Sequence, residues 1–285
     1  MINFTVGPVQ MDEKVRAIGG EQIPYFRTQE FSEMMLENER LMKKLAFTEE
    51  QSRAVFLTGS GTFAMEAAVL NSFTSQDKIL IVNGGTFGER FVTICKRHQI
   101  PYEEIKLGIG EPLTTKCLSL YEGKGYTGFL VNVGETSTGV LYDMRIIGEF
   151  CRRNNIFLIA DAISAFLADP LFMDEWKIQI MIVSSQKALA CAPGISALVL
   201  SSEAVERIQS TEIASLYFDL KAALKDGLRG QTPFTPAVGI LRQINYRLRS
   251  IEKIGIEKEI SRVSELAEDF RNGITGLPLS FLTES

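Results

Sequence analysis

Apolar residues recur along this chain in two rhythms. Short, mostly unbroken runs at residues 54–57, 79–82, 128–132, 156–160, 180–184 and 196–200 predict strands. A parallel strand covered on both faces needs apolar side chains on each, so its sequence does not alternate. Between the runs, apolar positions three and four apart predict helices over 62–72, 87–99, 144–154 and 202–209, with Asp143 as the capping residue of the third. Strand–helix alternation of this kind predicts an α/β domain with a mostly parallel sheet and helices on both faces. From about Pro236 the rhythm changes. Residues 237–270 place Ile240, Leu241, Ile244, Leu248 and Ile251 at helical spacing, with Arg and Glu opposite, which predicts one long amphipathic helix. Leu279-Ser280-Phe281 then reads as the start of a further strand.

Composition narrows the function classes. The 285 residues suit one large domain with or without a partial second one. Acidic residues exceed basic ones by 35 to 30, for a net charge of −5, and no basic run offers a nucleic-acid surface. No apolar stretch approaches the roughly 20 residues that span a bilayer, and the N-terminus lacks the order of a signal peptide. The four cysteines, Cys95, Cys117, Cys151 and Cys191, form no CxxC pair or metal cluster. A cytoplasmic, metal-free protein is therefore expected. His98 is the only histidine, so a Ser-His-Asp triad is not expected, and proton transfer falls to lysine, a carboxylate or a cofactor.

In a parallel sheet, ligands bind beyond the carboxyl ends of the strands, and four segments there carry candidate chemistry. Gly59-Ser60-Gly61-Thr62 opens a helix and suits a phosphate, although a plain strand-to-helix turn reads the same way. Asp161 ends an apolar strand, where a buried carboxylate needs a cationic or hydrogen-bonding partner. That partner is a structural salt bridge, a helix cap, or a protonated ring nitrogen. Lys187 ends another apolar strand, where desolvation lowers its pKa and makes the amine nucleophilic. An ion pair with Asp161 or another carboxylate is the structural alternative. Phe87, in Asn83-Gly84-Gly85-Thr86-Phe87-Gly88, is either core or a ring free to stack on a planar ligand.

In this order the segments resemble the class V aminotransferases, within the fold-type I enzymes that use pyridoxal 5′-phosphate. Gly59-Ser60-Gly61-Thr62, the 83–90 segment, Glu135-Thr136-Ser137-Thr138-Gly139, Asp161-Ala162 and Ser185-Gln186-Lys187-Ala188-Leu189 carry the likeness, which runs from Gly7-Pro8 to beyond Thr232-Pro233. The sequence is similar to alanine/serine–glyoxylate and 2-aminoethylphosphonate–pyruvate transaminases. The resemblance implies that Lys187 holds the cofactor as a Schiff base and shuttles the proton at the donor's Cα. It implies that Asp161 pairs with the pyridine nitrogen and Phe87 stacks on the ring. Ser60, Gly61 and Thr62 would bind the phosphate with help from Gln186, while Thr136 and Ser164 would approach the ring. Thr232 would reach the phosphate of the neighbouring subunit in a homodimer. A ping-pong exchange between a small amino donor (alanine, serine, aspartate or 2-aminoethylphosphonate) and a 2-oxo acid such as pyruvate or glyoxylate is implied.

The same resemblance implies an arm at 1–15, a cofactor-binding large domain at 16–240, and at 241–285 a connecting helix leading into a partial small α+β domain. The small-domain arginine that grips the substrate carboxylate in this family has no counterpart before residue 285, so the chain is expected to be incomplete. Two rival readings share the fold. A cysteine desulfurase-like lyase would place histidines where Phe87 and Gln186 stand and a cysteine beyond Cys191. A non-catalytic relative would have no use for Lys187 and Asp161 together.

Overall fold

Every predicted apolar run forms a strand. The computed structural model describes Asn3 and residues 5–283; Met1, Ile2 and Phe4 of the predicted arm, and Glu284 and Ser285 at the other end, lie outside the described residues. The elements are α1 (Glu13–Gly19), α2 (Gln29–Leu45), β1 (Arg53–Thr58), α3 (Gly61–Leu70), β2 (Ile79–Asn83), α4 (Thr86–Arg97), β3 (Tyr102–Lys106), α5 (Thr115–Ser119) and β4 (Gly128–Asn132). They continue with β5 (Gly134–Glu135), β6 (Val140–Leu141), α6 (Met144–Asn154), β7 (Phe157–Asp161), β8 (Ile180–Ser184), β9 (Ile195–Leu200), α7 (Ser202–Ser210), α8 (Leu220–Gly227), α9 (Val238–Ile254) and α10 (Ile256–Gly273).

Seven strands pair in the order β1-β9-β8-β7-β4-β2-β3, and only β9 runs against its neighbours. Successive side chains of a strand face opposite sides, and both sides are apolar here. Leu80, Val82, Phe129, Val131, Leu158, Ala160, Met181 and Val183 meet α2, α6 and α9, while Ile79, Ile81, Leu130, Ile159, Ile180 and Ile182 meet α3, α4 and α7. The result is a three-layer sandwich. Each fully buried Leu or Ile contributes about 1.5–3 kcal/mol, so this double-sided core anchors the strand ends that carry the site.

The structure adds elements the hydrophobic pattern does not announce. The strand β3, Tyr-Glu-Glu-Ile-Lys, pairs only with β2 and buries only Ile105 fully; an edge strand tolerates charge where a central one does not. The helix α2 places Phe31, Met35, Leu41, Met42 and Leu45 inward, but its stripe is interrupted by Asn38, which is buried and donates to the Leu241 carbonyl.

Two expectations are corrected. The helix predicted over 237–270 is two helices, because Gly255 adopts a φ of +100° between α9 and α10. Residues 279–281 form no strand, since no described segment pairs with them. The α+β character expected of the last segment is thus only helical among the described residues. The predicted cap is present: the Asp143 side chain accepts from the Arg145 N–H at the start of α6. No helix among the described residues is long and apolar enough to cross a membrane.

Candidate active site

The parallel strands deliver β2, β4, β7 and β8 to one edge of the sheet with their carboxyl ends together, and β1 runs the same way because β9 is antiparallel to both β1 and β8. The loops leaving these ends enclose a cavity of about 320 Å³, within the range typical of small-molecule sites. Nine of the ten sequence-predicted residues line it: Ser60, Gly61, Thr62, Phe87, Thr136, Asp161, Ser164, Gln186 and Lys187. Thr232 does not. It is buried beside Pro233 in separate clefts near β1, with its hydroxyl donating to the Phe234 carbonyl. A larger and more open trough of about 980 Å³ lies over α4 and β3, but neither Lys187 nor Asp161 reaches it. Chemistry, not size, selects the site.

Asp161 is 5% exposed. Its Oδ1 accepts from the Ile163 N–H at 2.9 Å and its Oδ2 from the Asn132 amide at 2.6 Å. Asn132 stands directly opposite it in the β4–β7 register. Burial pushes the Asp161 carboxyl up to about 6, against the two hydrogen bonds and the charge of Arg90. Lys187 is half-buried, and its Nζ donates to the Val6 carbonyl at 2.7 Å. Burial holds the amine below the usual lysine range, partly opposed by the Asp161 charge. Asp161 and Lys187 form no ion pair with each other: the carboxylate is held by Asn132 and Ile163, and the amine by the Val6 carbonyl.

Two helix N-termini point at this cavity, and their hydrogen bonding separates them. At α4, which has no side-chain cap of its own, the buried Glu135 carboxylate accepts from the Phe87 and Gly88 N–H groups, and Ser137 Oγ accepts from Thr86 N–H. That terminus is spent. At α3, Ser60 caps the Phe63 N–H, while the Gly61 and Thr62 N–H groups meet no acceptor among the described residues. Two unused amides beside hydroxyls at a helix start favour an anion. A Cβ at Gly61 would run into Ile163 Cδ1, so that side chain would have to shift to admit one.

The remaining residues complete the walls. Thr136 and Ser164 share a hydrogen bond at 2.6 Å, and Gln186 Oε1 accepts from Ser184 Oγ at 2.8 Å. Phe87 is half-buried, with the Arg90 guanidinium 4.6 Å from its ring centre. Gly7 lies against Lys187, where a Cβ would come within 2.9 Å of Nζ. The donor set fits pyridoxal phosphate: a lysine amine, a buried carboxylate, an aromatic face and an amide-lined anion seat. Asn132 Oδ1, buried and without a hydrogen-bond partner among the described residues, adds an unused acceptor on the same wall.

Sequence reasoning assigned no role to Asn132, Glu135, Arg90, Ile163 or the Val6–Pro8 segment. Asn132 was detectable as the last residue of a predicted strand. Ile163 touches Asp161 only two residues away, whereas Glu135, the Arg90–Thr62 contact and the Val6–Pro8 segment join parts of the chain far apart in sequence, and nothing local announces them.

Comparison with known proteins agrees with this geometry. The profile described as "Aminotransferase class-V" matches residues 24–283. A protein of Methanocaldococcus jannaschii called an uncharacterized aminotransferase is 30% identical over 98% of this chain and 73% of its own length. A Helicobacter pylori protein with the same description is 31% identical over 84% of this chain, which spans 63% of it. Among solved structures, the alanine–glyoxylate aminotransferase of a Nostoc species superposes with a TM-score of 0.90 at 26% identity, covering 96% of this chain and 74% of that one.

Proposed function

This chain belongs to the class V aminotransferase family and has its fold-type I architecture, and we propose that it is a pyridoxal-phosphate-dependent transaminase. It moves an amino group from a small amino donor to a 2-oxo acid. The observation that carries this reading is the meeting of Lys187, Asp161, Phe87 and the unused Gly61 and Thr62 amides in one cavity.

When bound, pyridoxal phosphate supplies the electron sink that amino-group transfer needs. Lys187, whose amine burial holds below the usual lysine range, would hold the cofactor through its carbonyl carbon. The same amine is then the group placed to take the proton from the donor's Cα and to return it to the acceptor's. Asp161, fixed from both oxygens by Asn132 and Ile163, would face the ring nitrogen and keep it protonated. Phe87 would cover the ring, while Ser60, Gly61, Thr62 and Gln186 would hold the phosphate. The paired Thr136 and Ser164 hydroxyls would border the ring.

In this reading residues 16–240 bind the cofactor and 241–285 begin a smaller domain. The exchange is ping-pong, with donor and acceptor taking turns at one site. The likeness to the Nostoc enzyme supports alanine and glyoxylate as the first pair to assay.

The protein mixed with pyridoxal phosphate should gain the visible absorption of a lysine-bound cofactor. Borohydride reduction and peptide mass spectrometry should place the adduct on Lys187, and Lys187→Ala should lose both the band and all measurable amino transfer. Protein that stays colourless with added cofactor would sink this function.

A further inference from the structure

Arg90 has no role in the account so far, yet it reaches into the cavity from the first turns of α4. Its Nη1 donates to Thr62 Oγ1 at 2.9 Å, and its guanidinium lies over the Phe87 ring at 4.6 Å. Among the described residues it has no carboxylate partner. Its charge acts on Asp161 across the cavity, but no described carboxylate touches the half-buried guanidinium, which leaves its surroundings favourable to a bound anion.

The chemistry of the Thr62 hydroxyl says where. A hydroxyl has one proton to give and two lone pairs to accept with, whereas a guanidinium can only donate. Arg90 therefore occupies the acceptor side of Thr62 and leaves its single proton to point elsewhere. The Gly61 and Thr62 amides beside it also lack acceptors. Three donors and an adjacent positive charge then converge on one point at the start of α3.

We propose that Arg90 is a positioning residue that commits the Thr62 hydroxyl to donating to the cofactor's phosphate. The stack on Phe87 fixes the guanidinium in advance, so little side-chain entropy is lost on binding. The same residue thereby ties the ring-covering aromatic on α4 to the phosphate seat on α3. A lysine could keep the charge but not the plane that stacks and the edge that donates. The inference rests on the proposed cofactor and deepens it.

Equilibrium binding of pyridoxal phosphate and of pyridoxal, which lacks the phosphate, separates the possibilities without any activity assay. Arg90→Met should raise the Kd for pyridoxal phosphate about tenfold, the size of one charge-assisted hydrogen bond, and change that for pyridoxal by less than about twofold. In a Thr62→Val background, the same Arg90 change should add less than about threefold, because the shared hydroxyl is already gone. Arg90→Lys should fall between wild type and Arg90→Met, and supplies the comparison if Arg90→Met does not fold. Equal losses for the two ligands, or the full loss persisting beside Thr62→Val, would overturn the inference while leaving the cofactor intact. A wild-type protein that binds neither ligand overturns both the inference and the function.

Discussion

At Asp161 burial and charge conflict, and the conflict has a pH signature. With the carboxyl pushed up to about 6 by burial, the folded protein without cofactor holds this proton more tightly than the unfolded chain does. Its contribution to stability is therefore greatest at acid pH and is lost as pH rises through about 6. A rise of that size corresponds to about 3 kcal/mol between the two protonation states. Thermal melts of cofactor-free protein should show this loss between about pH 4 and 7, and Asp161→Asn should remove it. Binding runs the other way. A cationic ring nitrogen needs the ionised carboxylate, so cofactor affinity should weaken as pH falls below about 6. Affinity that is flat with pH, or unchanged in Asp161→Asn, would separate Asp161 from the cofactor.

At the scale of elements, the α4 N-terminus is held by a carboxylate from another part of the chain. Glu135, 1% exposed, sits after β4 and takes the Phe87 and Gly88 amides that a capping side chain would otherwise satisfy. Gly85 lets the two segments approach, since a Cβ there would run into Ser137 and Glu135. Glu135→Ala strands the buried Gly88 amide and the partly buried Phe87 amide and should cost about 1–3 kcal/mol in denaturant unfolding. Because it also frees Phe87, cofactor release should quicken. A variant as stable as wild type with an unchanged release rate would show that the cap does not set the ring's position.

At the scale of the molecule, Thr232 lies outside the cavity of its own chain, and the family resemblance implies that it would reach the phosphate of a neighbouring subunit. That role requires a homodimer. The protein should then elute as a dimer in size exclusion with light scattering. Thr232→Ala should keep that dimer and weaken cofactor binding several-fold. A monomer that binds pyridoxal phosphate, or a Thr232→Ala dimer with unchanged affinity, would remove the shared site.

The sequence by itself determined the alternating α/β order, the six apolar strands and the segments that carry chemistry. Burial on both faces of a parallel sheet leaves an unmistakable apolar run, and the ligand-binding loops must follow such runs. It did not reveal β3, because an edge strand may carry charge on residues such as Glu103 and Glu104, nor the break at Gly255, because apolar spacing continues across it. It located Lys187 and Asp161 but left a salt bridge between them open. Only the tertiary structure decided that they stand apart, that Asn132 fixes the carboxylate, and that α3 rather than α4 has amides to spare. Those facts depend on contacts between residues distant along the chain, which set the hydrogen bonds and leave no local pattern in the sequence.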